Sequence, residues 1–184
     1  RLGQIILSGI GRGVALSGHY AYVATTEAGL VVVDISNPAA PSHVSTYDTT
    51  GLAVGVAVSG GYAFVADTGF GMQVIDVSNP ASPASVGAWY DAGGQVHGVA
   101  VAGNYAYVAN DTAGLQVIDI TTPADPDRVG GYDTSGRAMG VAVAGSYAYV
   151  ADNTGGLQVI RISKPIAPVR VGGCLTNGFA SGVA

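Results

Sequence analysis

Short apolar runs, each broken by glycine, asparagine or proline, follow one another along the whole chain. In the clearest copy, residues 98–102 lead into a Gly103-Asn104 turn and then into residues 105–109, where large and small side chains alternate. A two-residue turn of this composition between runs of β-formers predicts a hairpin. Because glycine also interrupts every helical period, the pattern predicts an all-β chain with almost no helix.

Two further runs complete the predicted unit. Residues 115–120, which read LQVIDI, are mostly apolar and suit a buried strand. Pro123 and Pro126 then stop the pairing, since proline lacks the backbone donor of a ladder. Residues 128–132 are short and contain glycine, as is typical of an outer edge strand. Each unit is therefore predicted to be a four-stranded antiparallel sheet.

The unit recurs with a nearly constant period. The glycine that opens each first run stands at positions 13, 55, 98, 140 and 182, so successive copies lie 42 or 43 residues apart. Periods of this length are typical of β-propeller blades. We predict a single propeller over residues 1–184 with about four blade units, at residues 13–54, 55–97, 98–139 and 140–181. A glycine before each third run, at positions 29, 71, 114 and 156, predicts positive φ there.

The chain contains five predicted outer strands but only four copies of the other three strands, so the sequence does not decide how the ring closes. Residues 1–12 align with residues 170–181 and are predicted to be an extra outer strand of a preceding or closing blade. Self-association or further sequence would complete a larger propeller, and eight blades from two chains agree with the closed symmetry of most soluble oligomers. A compact four-bladed monomer and an open arc are the alternatives, although four blades lie at the low end for propellers.

Four copies of the third run resemble a known family. They read LVVVD at residues 30–34, MQVID at 72–76, LQVID at 115–119 and LQVIR at 157–161, and the loop at 78–83 reads SNPASP. These motifs resemble the LVIVD-repeat family of bacterial and archaeal β-propellers. The resemblance implies the propeller fold and no shared catalytic residues, and many members of the family are exported or surface-associated. The fourth copy departs from the motif at Arg161.

Composition narrows the partners and the location. Twelve acidic and seven basic residues give a formal charge of −5, which disfavours nucleic acid and acidic membrane surfaces as partners. No apolar run reaches membrane-spanning length, and the single cysteine excludes an internal disulfide. The absence of an initiator Met and of a signal peptide indicates a mature chain or a piece of a longer one. With only 10% charged residues, an extracellular, cell-surface or periplasmic location is expected.

The loops from each outer strand to the next inner strand differ most among the units. They contain Arg12, Gln95, His97 and Arg137, the candidate ligand-binding residues of this sequence. In a propeller we expect such loops to reach the mouth of the central channel, where a protein or small ligand would bind. Drift between duplicated copies explains the same variation without a ligand, and both interpretations stay open.

Aromatic residues offer an alternative contact. Trp89 and Tyr90 lie beside the one-residue insertion of the second unit and are the alternative candidates for an exposed surface. The repeated tyrosines alternate along the second strand, which indicates packing between blades. Cys174 takes the place of Tyr47 and Tyr132 in other copies, which favours a buried or edge-packed thiol over a nucleophile.

Titratable residues recur in a pattern that favours structural roles. Asp34, Asp76 and Asp119 end the third run, where a carboxylate typically accepts a hydrogen bond from the following loop. Acidic and amide side chains at positions 67, 110–111 and 152–153 offer oxygens to calcium, but without a closely spaced set of ligands. The histidines fall at different places of the unit, and no nucleophile elbow is present. We predict no catalytic residue, no metal site and no cofactor, with calcium as the alternative.

The leading functional hypothesis is a non-catalytic interaction or surface-display module. Propellers also host active sites in the central channel, so an enzyme with a site there is one alternative. A purely structural repeat segment of a larger surface protein is the other. Convergent channel side chains with perturbed pKa would favour the enzyme, whereas an apolar or flat mouth would favour binding.

Overall fold

Strands are the regular elements of this chain. The computed structural model describes residues 3–91 and 95–184, which contain sixteen strands and no helix. The strands are β1 (Gly11–Ser17), β2 (Tyr20–Thr25), β3 (Gly29–Asp34), β4 (Ser42–Tyr47), β5 (Leu52–Ser59), β6 (Tyr62–Thr68), β7 (Gly71–Asp76), β8 (Ala84–Tyr90), β9 (Val96–Ala102), β10 (Tyr105–Asn110), β11 (Leu115–Asp119), β12 (Asp127–Tyr132), β13 (Gly140–Ala144), β14 (Tyr147–Ala151), β15 (Leu157–Arg161) and β16 (Val169–Cys174). Across the described ranges, no helix is long and apolar enough to span a membrane.

The sixteen strands form four antiparallel sheets, called blades 1 to 4 in chain order. Blade 1 has the strand order β1-β2-β3-β4, and the other three repeat this meander with β5–β8, β9–β12 and β13–β16. The predicted all-β fold and four-stranded unit are confirmed. Parts of two predicted segments, residues 1–2 and 92–94, lie outside the described residues.

Glycine sets the turns of each blade. Gly18, Gly103 and Gly145 open the first hairpin turn with φ of +57°, +57° and +56°, while the residue after each has an ordinary φ. Positive φ at the first central residue alone is typical of a type II′ turn, which matches the twist of the paired strands. Gly114 has φ +73°, as predicted, and a Cβ there would lie 2.4 Å from the carbonyl oxygen of Tyr132.

Each internal blade face is buried against the next blade. Tyr22, Leu30 and Val32 of blade 1 pack in one cluster with Val65 and Ile75 of blade 2. Equivalent clusters join blade 2 to blade 3 and blade 3 to blade 4. The prediction that the strand tyrosines pack between blades is confirmed at Tyr22 and Tyr107, each 3% exposed. The core is therefore a series of blade-to-blade layers.

Glycine also lets the first strands of successive blades approach closely. A Cβ on Gly13 would lie 3.0 Å from the Cα of Gly55, and a Cβ on Gly98 would lie 3.2 Å from that of Gly140. A Cβ on Gly140 would lie 3.2 Å from the Cα of Gly182, which begins the fifth copy of the motif. Gly182 thus lies against β13 as Gly55 lies against β1.

The four blades of one chain form an arc. Extensive strand contacts join β1 to β5, β5 to β9 and β9 to β13, and no comparable contact joins β13 to β1 among the described residues. Residues 3–8 lie on blade 1, where Ile5 and Leu7 pack against its buried cluster. A Cβ on Gly3 would lie 2.7 Å from the carbonyl oxygen of Ala39, in the loop after β3. The segment therefore takes the place that the outer strand of a preceding blade would have.

Candidate functional site

Two of the predicted loop residues belong to one cluster at the end of β10. Asp111 has φ +40°, a conformation that Asp adopts more readily than most residues, and its backbone exchanges hydrogen bonds of 3.1 and 2.9 Å with Ala138. This bridge holds the loop after β12 against the end of β10 and places Arg137 beside Asp111. The guanidinium donates to both carboxylate oxygens, with Nη2 2.9 Å from Oδ2 and Nε bound to Oδ1.

The electrostatics of this cluster involve His97. The hydrogen bond from Arg137 lowers the pKa of Asp111, and the same bond raises the pKa of Arg137. Burial lowers the pKa of His97, with a smaller opposing effect from Asp111. Nε2 of His97 is buried and has no hydrogen-bond partner in the described structure. The cluster therefore presents a guanidinium that is 53% exposed, a largely covered carboxylate and a neutral imidazole.

Arg12 and Gln95 lie apart from that cluster. Arg12 is in β1 and lines an open cavity of about 240 Å³ with Val14 and Val23, at the free edge of blade 1. Gln95 is exposed directly before β9 and follows residues 92–94, which are outside the described part of the chain. Of the four candidates, the described interactions join only His97 and Arg137.

The two candidate aromatic residues differ in their surroundings. Trp89 packs partly buried against the cluster between blades 2 and 3. Tyr90 is 68% exposed, and its ring centroid lies 6.1 Å from that of Phe70 at an interplanar angle of 57°. Alternation along β8 sends neighbouring side chains to opposite faces. Tyr90 with Phe70, rather than Trp89 with Tyr90, forms the aromatic pair at this edge.

The repeated aspartates at the end of the third strands have the structural role that the sequence predicts. Their Oδ1 atoms accept backbone N–H groups two residues later, at 2.7 Å for Asp34, 2.8 Å for Asp76 and 2.8 Å for Asp119. Hydrogen bonds from Ser78, through its side chain and its backbone, lower the pKa of Asp76. These carboxylates hold the loop to the fourth strand.

A buried carboxylate joins blade 1 to blade 2. Asp67 is fully buried, and its Oδ2 accepts the backbone N–H of Gly51 at 3.1 Å and the side-chain amide of Gln73. Burial raises the pKa of Asp67, against the opposing effect of these two hydrogen bonds. Its Oδ1 and the Thr49 hydroxyl are both buried and lack a described partner. Asp67 is thus covered by the preceding blade.

The same arrangement recurs between blades 3 and 4, and a variant of it lies between blades 2 and 3. Asp152 accepts the Thr134 hydroxyl at 2.5 Å and the Gly136 N–H at 2.9 Å. In the middle, the Asn110 side-chain amide donates to Asp91, so that the carboxylate comes from the outer-strand side. We call these three sites the polar junctions.

The polar junctions contain Asp67, Asn110 and Asp152, which are among the turn residues that the sequence pattern indicated as possible calcium ligands. The carboxylates of Asp67 and Asp152 accept hydrogen bonds from the neighbouring blade. In the described ranges, no group of three or more His, Cys, Asp or Glu side chains is placed to hold a metal ion.

Blade 1 exposes apolar side chains on the face of its sheet that is turned away from blade 2, which we call the N-terminal face. Val14 is 63% exposed and Leu16 is 68% exposed, and both stand in β1. The equivalents of Val14 in blades 3 and 4, Val99 and Val141, are 9% and 8% exposed because a preceding blade covers them. The face is thus built like an internal one, without the neighbour.

Blade 4 has a matching free face, which we call the C-terminal face. It carries Leu157, Val159, Val171 and Cys174, at positions that face the following blade in the other units. Val171 is 49% exposed, whereas its blade 3 equivalent Val129 is partly buried. Leu157 and Val159 are only half-buried, whereas Leu115 and Val117 are fully buried. Cys174 is exposed, so the prediction of a buried or edge-packed thiol is wrong for this chain. Within residues 3–91 and 95–184, no further blade lies over β16.

Sequence reasoning missed two features of these sites. It treated Asp111 only as a turn oxygen, although the pairing of residue 111 with residue 138 follows from the blade pattern and would have brought Arg137 beside it. It also did not identify Val14, Leu16 and Val171 as a surface, because their residue types match those of the internal interfaces.

Comparisons with known proteins agree with this architecture. The model of the LVIVD repeat matches residues 8–49, 50–91, 93–134 and 135–176. No curated protein sequence matches the chain. The computationally designed Ika4 protein is similar, with a TM-score of 0.70 at 10% identity over 86% of this chain and 98% of that one.

Two longer structures are also similar. A functionally unknown protein from Desulfotomaculum acetoxidans DSM 771 has a TM-score of 0.72 at 14% identity over 95% of this chain. The Cps50 (Swd1) beta-propeller domain of Myceliophteria thermophila has a TM-score of 0.72 at 12% identity over 90% of this chain. The chain spans 59% and 58% of these two structures. Likeness at this level of identity shows the fold.

Proposed function

The chain belongs to the LVIVD repeat family, and from this premise we propose that it is a non-catalytic interaction module that binds an acidic ligand at the cluster of Arg137, Asp111 and His97. The observation that carries the proposal is the Arg137 guanidinium, which is 53% exposed beside the 14% exposed carboxylate of Asp111. Nε2 of His97 is buried and has no hydrogen-bond partner among the described residues.

The charged groups support a binding role over a catalytic one. Asp67 and Asp152 are fully buried and hydrogen-bonded between blades, so a substrate does not reach them. Arg137 and Asp111 neutralise each other in a bidentate pair beside a histidine of lowered pKa. A location outside the cytoplasm stays a prediction that rests on the low content of charged residues, 10%.

A titration with an acidic ligand tests the Arg137 cluster as the binding site. In an NMR titration with a short acidic peptide, Arg137→Ala should weaken binding by about 1–3 kcal/mol, the cost of losing a charged hydrogen bond. Equal binding by the Arg12, His97 and Arg137 alanine variants would place any ligand elsewhere, for example at Tyr90.

A further inference from the structure

A carboxylate holds the loop after the third strand in blades 1 to 3. The three carboxylates belong to Asp34, Asp76 and Asp119, and each accepts the backbone N–H of the residue two positions later. In blade 3 the hydroxyl of Thr121 also donates to Oδ1 of Asp119, at 2.7 Å. One carboxylate oxygen there receives both an N–H and an O–H group of the loop.

Blade 4 keeps these donors and lacks the acceptor. Arg161 stands at the position of Asp119, and Ser163 stands at the position of Thr121. A guanidinium has no hydrogen-bond acceptor, so Arg161 cannot replace the carboxylate. Within residues 3–91 and 95–184, no group accepts the backbone N–H of Ser163. The N–H and the hydroxyl of Ser163 are therefore available to an oxygen that the chain itself does not supply.

Lys164 is a second cation in the place of an acceptor. In blades 1 and 2 this position holds Asn37 and Asn79, whose side-chain oxygens accept a backbone N–H of the same loop at 3.1 and 3.3 Å. The lysine ammonium has three donors and no acceptor. The loop of blade 4 thus differs from those of blades 1 and 2 by two substitutions that both remove an acceptor and add a positive charge.

The two cations and the serine meet in one cavity. Arg161, Ser163 and Lys164 line an open cavity of about 370 Å³ together with Ala167 and Val169. Its described lining has no acidic side chain, and neither cation forms an ion pair with another described residue. On a chain with a formal charge of −5, this cavity therefore presents two unneutralised positive charges beside free hydrogen-bond donors.

The exposure of this cavity does not depend on a missing neighbour. Blade 3 is packed against blade 4, yet the equivalent positions of its own loop are also exposed. These positions are Thr121, Thr122, Asp125 and Asp127. The loop after the third strand is therefore accessible in a blade with a following blade as well.

We propose that Arg161, Ser163 and Lys164 form a binding site for a phosphate group, which we call the blade 4 loop site. One phosphate oxygen takes the place of the absent carboxylate oxygen and accepts the N–H and the hydroxyl of Ser163. A phosphate monoester carries a charge of about −1.5 to −2 at pH 7 and three acceptor oxygens, which matches two cations better than a single carboxylate does. The guanidinium can donate to two of these oxygens at once.

The blade 4 loop site is separate from the Arg137 cluster. In each antiparallel meander, the loop after the third strand lies at one end of the sheet, and the loop that leads to the next first strand lies at the other end. Arg137 belongs to the second kind of loop, which precedes β13. This inference is therefore independent of the proposed function, and either site can fail without the other.

An NMR titration of the isotope-labelled chain tests the site. We expect phosphoserine to shift the backbone amide resonance of Ser163 saturably, and sodium chloride of equal ionic strength to leave it unchanged. Inorganic phosphate is the second ligand: equal affinity would identify free phosphate as the group that is recognised, and higher affinity for phosphoserine would identify an organic phosphate. Aspartate is the third, and tighter binding of aspartate than of both phosphates would overturn phosphate as the ligand.

Three variants test the residues. Arg161→Ala and Lys164→Ala should each weaken phosphoserine binding by about tenfold or more, the effect of losing a charged hydrogen bond. Arg161→Asp supplies the carboxylate of the other blades and should abolish binding. Arg12→Ala is the matched control, because Arg12 is an exposed arginine of blade 1 outside this site. Since Arg161 and Lys164 are exposed, the variants should keep the circular dichroism spectrum of the native chain.

A transfer of the site to blade 2 supplies a gain of binding. Ser78 already stands at the position of Ser163, so Asp76→Arg with Asn79→Lys gives blade 2 the same three polar residues. We expect phosphoserine to shift the Ser78 amide resonance in this double variant and not in the native chain.

Several results would overturn the proposal. One is a Ser163 resonance that phosphate and chloride shift equally, because the effect would then be general ionic screening. Another is unchanged phosphoserine binding by Arg161→Asp. A third is a phosphoserine shift at the Arg137 resonance without one at Ser163, which would show that the anion binds at the other end of the blade.

Discussion

In the polar junctions between blades 1 and 2 and between blades 3 and 4, the carboxylate belongs to the later blade, near the end of its second strand. In the junction between blades 2 and 3, the carboxylate belongs to the loop that follows the fourth strand of blade 2. Asp67 lies next to the last residue of β6 and Asp152 directly follows β14, and both accept from the loop that precedes the first strand of their blade. In the middle, Asn110 takes that position and donates to Asp91 of the loop. The comparison shows that the interface requires a donor opposite an acceptor in a place closed to water, and that either side can carry the charge.

The N-terminal face of blade 1 does not contain such a pair of donor and acceptor. Thr25 takes the position of Asp67, and its hydroxyl donates to the carbonyl oxygen of Gly29 at 3.2 Å within the same blade. Val31 replaces Gln73, and Leu7 packs nearby. The polar pair is therefore a property of blade-to-blade contacts, and the edge blade satisfies its own groups.

Removal of the Asp67 or Asp152 carboxylate should have the largest effect on the free energy of unfolding. Asp67→Ala and Asp152→Ala should each lower the free energy of unfolding by about 2–3 kcal/mol, because buried donors lose a charged acceptor. Urea unfolding followed by tryptophan fluorescence and circular dichroism measures this change. Asp76→Ala is the control, since Asp76 accepts only from the exposed loop at Ser78 and should cost clearly less. Equal losses at Asp67 and Asp76 would contradict the role of the junction.

A double-mutant cycle at Asn110 and Asp91 tests whether the donor and the acceptor of the middle junction are coupled. Asn110→Asp alone places two carboxylates opposite each other and should cost about 1–2 kcal/mol. Asp91→Thr together with Asn110→Asp reproduces the pair of Thr134 and Asp152 and should recover a large part of that loss. We expect a coupling energy of about 1 kcal/mol from the four unfolding curves. Additive effects would mean that the two sides of the junction are independent.

A change of pH should have the smallest effect on the stability of the fold. Burial raises the pKa of Asp67 above its unfolded value, so the folded chain binds more protons between those two pKa values. Stability contributed by this group is therefore present at low pH and is lost as pH rises through the folded pKa. Relative to Asp67→Asn, which does not titrate there, the native chain should gain thermal stability as the pH falls through this window. An unchanged or opposite difference would contradict the burial of the charge.

Much of the fold could be predicted because its causes are local in the sequence. Glycine at the hairpin turns and before each third strand has the positive φ that the pattern indicates. The aspartates at the end of the third strands bind the backbone two residues later, a contact that depends only on neighbouring residues. The repeat period and the LVIVD motif then determine the blade and its family.

The candidate site was predicted only in part. His97 and Arg137 do share a cluster, but their link is Asp111, which is 26 residues away from Arg137 in sequence. Arg12 was grouped with them because all four positions vary, and variation does not show distance. The bridge between Asp111 and Ala138 is what brings the residues together.

The sequence by itself determined the strands, the turns, the blade and the pairing of its faces, because each depends on residues within one unit. Only the tertiary structure decided which copies of the same side chain are buried. Val14 and Val141 occupy equivalent positions in almost identical segments, yet one is 63% exposed and the other 8%. The physical reason is that burial of a blade face depends on whether another blade lies against it, and that information is not contained in the unit.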